Sequence, residues 1–246
     1  MPRFQTVIKS ARFVYSPYTA NENPPGVDAG DFAFSLPPGE QMLGYPVAGP
    51  SEADEPGHRR FNFVWYRPAN DDHLRELLTD TDGVTHAVSI PPDKIRPEVV
   101  AALRSDAERV LAPQFAEVVR KTDQPFIQTI QDLESNRMVL GLRSAVIGDA
   151  AFVARPHVGM GVTKAAGDAA ALVDAIETHP DDLAKALARF EAERLPVGRA
   201  VVLRARQLGV YMQSQILSDE EQRFAERHRR PEAVMAETAI ATNSAA

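Results

Sequence analysis

The run Ala145-Val146-Ile147-Gly148-Asp149-Ala150-Ala151, followed by Arg155-Pro156-His157-Val158-Gly159-Met160-Gly161-Val162-Thr163-Lys164-Ala165-Ala166, decides how this chain is read. A β-branched stretch ends in Gly-Asp. A loop with one proline and two glycines follows, and a small-residue helix carrying Asp168 begins. The order predicts Asp149 at the C-terminal end of a strand, and a helix start over Gly159–Thr163 facing the same cavity. A carboxylate accepts hydrogen bonds from hydroxyl groups, and the free N–H groups of a helix start attract anions and electron-rich carbonyls. A ligand with a polyol chain and an electron-rich ring edge satisfies both. The dipeptide by itself reads first as a turn-capping aspartate.

The segment resembles the second flavin-binding motif of the single-component FAD-dependent aromatic hydroxylases. Upstream, Leu36-Pro37-Pro38-Gly39-Glu40-Gln41-Met42-Leu43-Gly44-Tyr45-Pro46-Val47 and Phe61-Asn62-Phe63-Val64-Trp65-Tyr66-Arg67-Pro68, together with Arg155-Pro156-His157, are similar to the branch typified by 2,6-dihydroxypyridine 3-monooxygenase. The resemblance implies FAD as cofactor, NAD(P)H as co-substrate, and hydroxylation by O2 of a hydroxylated aromatic or N-heteroaromatic ring. It implies that Gly148, Asp149, Pro156, Gly159, Gly161, Val162 and Thr163 bind the flavin. Asp149 would accept from ribityl hydroxyls, and the backbone from Pro156 to Thr163 would pass beside the ring. Thr163 stands where many members of the superfamily carry Asn. Gln41, Tyr45, Trp65 and His157 are the residues expected to meet substrate. An aromatic stripe on a strand is commonly core packing instead. Arg155 and His157 are equally readable as side chains bonded to backbone. No catalytic residue is assigned.

Family members open with a strand, a Gly-x-Gly-x-x-Gly turn and a helix that hold the FAD pyrophosphate. This sequence contains no such turn. The chain is therefore expected to be the C-terminal part of such an enzyme, without a leading stretch of roughly 100–150 residues, about one domain. Such a chain would expose apolar surface where that domain packs. Three readings remain open: an FAD-dependent hydroxylase, a non-catalytic binding or dimerising remnant, and half of a split enzyme completed by an N-terminal polypeptide.

Composition narrows the setting. A formal charge of −7 argues against nucleic-acid partners and basic membrane-surface helices. With no cysteine, disulfides, thiolate metal sites and cysteine catalysis are excluded. The six histidines show no metal-ligand spacing. No apolar run has membrane-spanning length. A cytoplasmic protein acting on a small aromatic molecule is the default expectation.

The expected fold is α+β: an antiparallel or mixed sheet forming a substrate-binding domain over residues 1–135, then a helical flavin-binding segment over 136–235 and a disordered tail over 236–246. Residues 4–15 are β-prone, 18–30 and 50–58 read as loops, and Phe32–Leu36 alternates as a strand. Gln41–Val47 reads as a strand held to an edge or bulge by Gly44 and Pro46. Phe61, Phe63 and Trp65 share one face of a strong strand. Helices are expected over Asp71–Leu78, Pro97–Leu111 and Gln114–Arg120, and a strand over Phe126–Leu133 with Phe126, Gln128 and Ile130 on one face. Gly161–Ile176 and Asp181–Leu195 read as helices. Pro196 is expected to kink or restart the second, which continues over Val197–Ile216.

Overall fold

The computed structural model describes residues 10–13, 33–49, 59–141, 143–213 and 218–240. The expected loops over 18–30 and 50–58 lie outside them, as do residues 241–246 of the expected tail. The chain divides into two compact units that meet in sequence at Thr129 and Ile130.

The first unit is a six-stranded sheet with helices on one face. It contains β1 (Ser10–Phe13), β2 (Ala33–Ser35), β3 (Gln41–Val47), β4 (Arg60–Pro68), α1 (Asp71–Leu77), β5 (Ser89–Ile90), α2 (Pro97–Val110), α3 (Pro113–Arg120) and β6 (Ile127–Gln128). The strand order is β2-β3-β4-β1-β6-β5, and every described pairing is antiparallel. The alternation in β4 sends Phe61, Phe63 and Trp65 into one core with Met42, Leu103, Ala107, Leu111 and Phe115. Fully burying a side chain such as Phe63 contributes about 2–3 kcal/mol. Trp65 is also fully buried, and its Nε1 donates to Glu40 Oε2 at 2.7 Å. The Arg67 guanidinium lies 4.4 Å from the Trp65 ring centroid and donates to Asp106 at 2.7 Å.

Two expectations in this unit are corrected. β3 is an inner strand, paired with both β2 and β4. Pro46 stands opposite Phe61 of β4. Gly44 itself makes room, since a Cβ there would come within 2.4 Å of the Phe61 ring. The expected strand over Phe126–Leu133 is broken. Only Ile127–Gln128 joins the sheet, and Ile127, not its two neighbours, enters the core. Thr129 N–H turns to the Val88 carbonyl, and the chain then passes into the second unit.

That unit contains β7 (Leu133–Glu134), β8 (Val139–Leu140), β9 (Ser144–Ala145), β10 (Phe152–Val153), α4 (Gly161–Thr178), α5 (Leu183–Gly209), α6 (Asp219–His228) and α7 (Pro231–Glu237). Short two-stranded pairings, β7 with β10 and β8 with β9, lie beside a helical body. Asp182 caps α5, its carboxylate accepting from Lys185 N–H at 3.0 Å. Pro196 sits inside α5 without ending it. Buried Leu187 and Phe190 before it and Val201, Val202 and Ala205 after it hold the helix continuous. Of the tail, Ala236 and Glu237 lie in α7, and Ala239 N–H reaches the Val158 carbonyl at 2.8 Å.

Candidate functional site: the Gly148–Asp149 turn and the start of α4

β9 stops at Ala145, so Asp149 does not end a strand as the sequence predicted. It lies in a 3-10 turn, Gly148–Ala150. The cause is Gly148, whose φ of +59° takes the chain out of the extended region. Gly148 is buried against α4, and a Cβ there would stand 3.2 Å from that of Ala165. Its N–H donates to Asp168 Oδ2 at 3.0 Å. Asp149 and Ala150 are left exposed beside the helix start.

A second turn, Pro156–Val158, closes on Gly159 at φ +71°. α4 then begins at Gly161. Met160, at the cap position, gives no side-chain hydrogen bond to the first N–H groups. Gly161, Val162 and Thr163 are exposed, and nothing lies within 4 Å of where a Gly161 Cβ would be. The positive end of an eighteen-residue helix thus stands open next to an exposed carboxylate.

Beneath this surface lies a charged cluster. Asp168 is buried; it accepts from Arg194 Nε at 2.9 Å, and Lys164 Nζ stands 3.9 Å from its Oδ2. The Lys164 side chain is fully buried, and its amine has no hydrogen-bond partner among the described residues. Burial pushes the Lys164 amine below its usual range, against the opposing pull of the Asp168 and Asp149 carboxylates. Asp168 therefore ties the Gly148 turn, α4 and α5 together. The spacing of Lys164 and Asp168 was legible as one helical turn. Arg194, distant in sequence, was not.

Arg155 and His157 resolve to structural anchors. Arg155 Nε donates to Asp132 Oδ2 at 2.8 Å, with both side chains buried, and Arg206 donates to the other Asp132 oxygen at 2.7 Å. His157 is fully buried, and its Nε2–H donates to the Ala205 carbonyl at 2.8 Å. Burial pushes the His157 imidazole down to about 3, so it is neutral near pH 7. Together they pin the Pro156 turn to α5.

The seven residues expected to bind cofactor fall on the two turns and the helix start of this one unit. The substrate candidates separate. The β3–β4 register sets Gln41 opposite Tyr66 and Tyr45 opposite Asn62, whereas Trp65 opposes Met42. Directly opposed residues share a face, so Trp65 lies on the helix-covered side and Gln41 and Tyr45 on the other. The three cannot line one pocket. A cleft of about 160 Å³ involves Arg67, His73, Leu77, Val99 and Asp106 and none of the expected site residues. Among the described residues no group of three potential metal ligands occurs, and no helix is long and apolar enough to cross a membrane.

The family described as FAD binding domain-like matches residues 26–132. The chain is homologous to FAD-dependent hydroxylases over most of its length. In particular, the 2,6-dihydroxypyridine 3-monooxygenase of Paenarthrobacter nicotinovorans is 31% identical over 183 residues, covering 74% of this chain and 45% of that protein. The solved structure of 2,6-dihydroxypyridine-3-hydroxylase from Arthrobacter nicotinovorans superposes with a TM-score of 0.71 at 27% identity, over 89% of this chain and 55% of that one. An FAD-dependent urate hydroxylase of Mycolicibacterium vanbaalenii is 40% identical over 93 residues, 34% of this chain and 24% of its own length. Klebsiella pneumoniae HpxO, solved with FAD and uric acid, shares the fold at 21% identity and a TM-score of 0.61, over 97% of this chain and 51% of its own. The chain spans about half the length, or less, of the relatives it matches.

Proposed function

We propose that this chain supplies the ribityl- and ring-facing part of an FAD site in a flavin-dependent hydroxylase. The reaction proposed is hydroxylation of a hydroxylated aromatic or N-heteroaromatic ring with NAD(P)H and O2. The observation that carries the reading is the open, uncapped start of α4 beside exposed Asp149. Asp149 accepts hydrogen bonds from the ribityl hydroxyls. Gly148, Pro156 and Gly159 shape the two turns so that backbone lies close to the cofactor. The N–H groups of Gly161, Val162 and Thr163, at the positive helix end, face the electron-rich N1–C2=O edge. Lys164, buried just behind, adds positive potential there. When bound, FAD supplies the redox chemistry and the activation of O2.

In this reading residues 1–135 hold the substrate and 136–235 the flavin. Gln41 and Tyr45, on one face of β3, remain the substrate-facing residues proposed. Trp65 and His157 are left out, because Trp65 lies on the helix-covered face and donates to Glu40, and His157 donates to the Ala205 carbonyl. A cytoplasmic setting and a dimer or complementing polypeptide complete the proposal. The sequence carries no Gly-x-Gly-x-x-Gly turn for the pyrophosphate, so the chain alone binds FAD weakly and gives no useful turnover.

Titrating the purified chain with FAD, read by flavin fluorescence, tests the reading. Weak saturable quenching is expected. Asp149→Ala removes a charged hydrogen-bond acceptor worth about 1.5–3 kcal/mol and weakens binding about tenfold or more. Identical titrations of the two proteins would overturn the assignment.

A further inference from the structure

The cleft of about 160 Å³ beside Arg67 lies wholly within the first unit and involves none of the residues assigned to flavin or substrate. Two helices build it at helical spacing. α1 turns Glu76 and Leu77 toward it, and α2 turns Val99, Ala102, Leu103 and Asp106. Leu77, Val99 and Leu103 supply apolar wall, and Ala102 is exposed. Arg67, from the end of β4, faces Asp106, with Nη2 donating to Oδ2 at 2.7 Å. The guanidinium is held in place by the Trp65 ring, 4.4 Å away, and by Glu40, which accepts from Nε. That leaves Nη1 to donate. Asp106 also accepts from Arg109, and a carboxylate with about four lone-pair sites has capacity left. A donor and an acceptor thus stand side by side at the edge of an apolar wall. The three carboxylates at the border are offset by three guanidiniums: Arg67 and Arg109 pair with Asp106, and Arg96 with Glu76 and Glu98. The balance favours an uncharged ligand. A dry cavity of roughly 150 Å³ holds one benzene ring, so the cleft admits a single ring and excludes a flavin or a nucleotide.

We propose that this cleft is a second ligand site, binding an uncharged six-membered heteroaromatic ring whose C=O and N–H stand side by side. Arg67 donates to the ring carbonyl, Asp106 accepts from the ring N–H, and the ring packs against Leu77 and Val99. Because the guanidinium is already fixed by Trp65 and Glu40, little freedom is lost when the ligand binds. The site is separate from the proposed reaction site. Arg67 shares the helix-covered face of β4 with Trp65, two residues away, whereas Gln41 and Tyr45 lie on the other face. The inference stands on the cleft alone and uses neither the FAD reading nor the proposed substrate.

The test titrates the purified chain with 2-pyridone and follows amide and indole N–H signals by NMR. Trp65 carries the chain's one indole, and its N–H donates to the same carboxylate that holds Arg67, so that signal reports on the Arg67 fork. The expected result is saturable shifts at Leu77, Val99, Ala102 and the Trp65 indole. N-methyl-2-pyridone and benzene, each without the ring N–H, bind about tenfold or more weakly. Ala102→Phe, which fills the cleft from an exposed position, abolishes the saturable shifts and leaves the signals of the other residues in place. Absence of saturation at the cleft, equal affinity for the three probes, or 2-pyridone binding unchanged by Ala102→Phe would overturn the proposal. Shifts confined to Gln41 and Tyr45 would overturn it too, while supporting the proposed substrate face. Flavin binding is read separately at Gly148 and Gly161, so failure of either site leaves the other standing.

Discussion

Lowering the pH from about 7.5 to about 5 will destabilise the second unit through His157, and the size of the effect follows from its burial. The imidazole is fully buried and donates to the Ala205 carbonyl, and burial takes its pKa from 6.5 to about 3. Arg155 and His228 nearby act in the same direction, while the Ala205 hydrogen bond and Asp132 oppose. Above pH 6.5 the folded and unfolded chains are both neutral at this residue. Below it the unfolded chain takes up a proton that the folded chain refuses, so this contribution is complete above the unfolded pKa and is lost as pH falls toward 3. Each pH unit in that window is worth about 1.4 kcal/mol, which gives a loss of about 2 kcal/mol at pH 5. Urea denaturation of the wild type and His157→Gln at several pH values isolates the term, because glutamine keeps an N–H at similar reach and does not titrate. The wild type loses about 2 kcal/mol more than the variant between those pH values. Parallel pH dependences for the two proteins would refute the reasoning.

Asp168→Ala leaves Lys164 and Arg194 without their carboxylate and frees the Gly148 N–H, costing about 3 kcal/mol. Adding Lys164→Met should recover part of that loss in a double-mutant cycle by denaturation. Gly148→Ala forces an alanine to φ +59° against Ala165 and lowers stability by about 1–2 kcal/mol. Gly161→Ala, with open space around it, leaves the melting temperature unchanged or slightly raised.

The parts of the fold that could be read from sequence are those fixed by local periodicity. The alternation of Phe61, Phe63 and Trp65 gave β4 and its buried face, and the apolar spacing of Val99, Leu103 and Ala107 gave α2. Long-range pairing was not legible. Pro46 reads as an edge signal, yet its strand is flanked by β2 on one side and β4 on the other. The Phe126–Leu133 pattern predicts one strand, but only Ile127–Gln128 joins the first unit's sheet, and Leu133 pairs with β10 instead. At the candidate site, the Gly-Asp turn and the glycine-flanked helix start were visible as a motif. The Asp168–Arg194 tie and the Asp132–Arg155–Arg206 cluster join residues far apart in sequence. The face assignment of Trp65 against Gln41 and Tyr45 needed the register of two strands, which no single strand encodes.

The most direct test of the flavin assignment is an amide-resolved NMR titration of the chain with FMN, which carries the ribityl chain and the ring. Saturable shifts centred on Gly148, Asp149 and Gly161–Thr163 are expected, weakened about tenfold in Asp149→Ala. Shifts confined to other regions, such as the cleft beside Arg67 and Asp106, or shifts unchanged by Asp149→Ala, would contradict it.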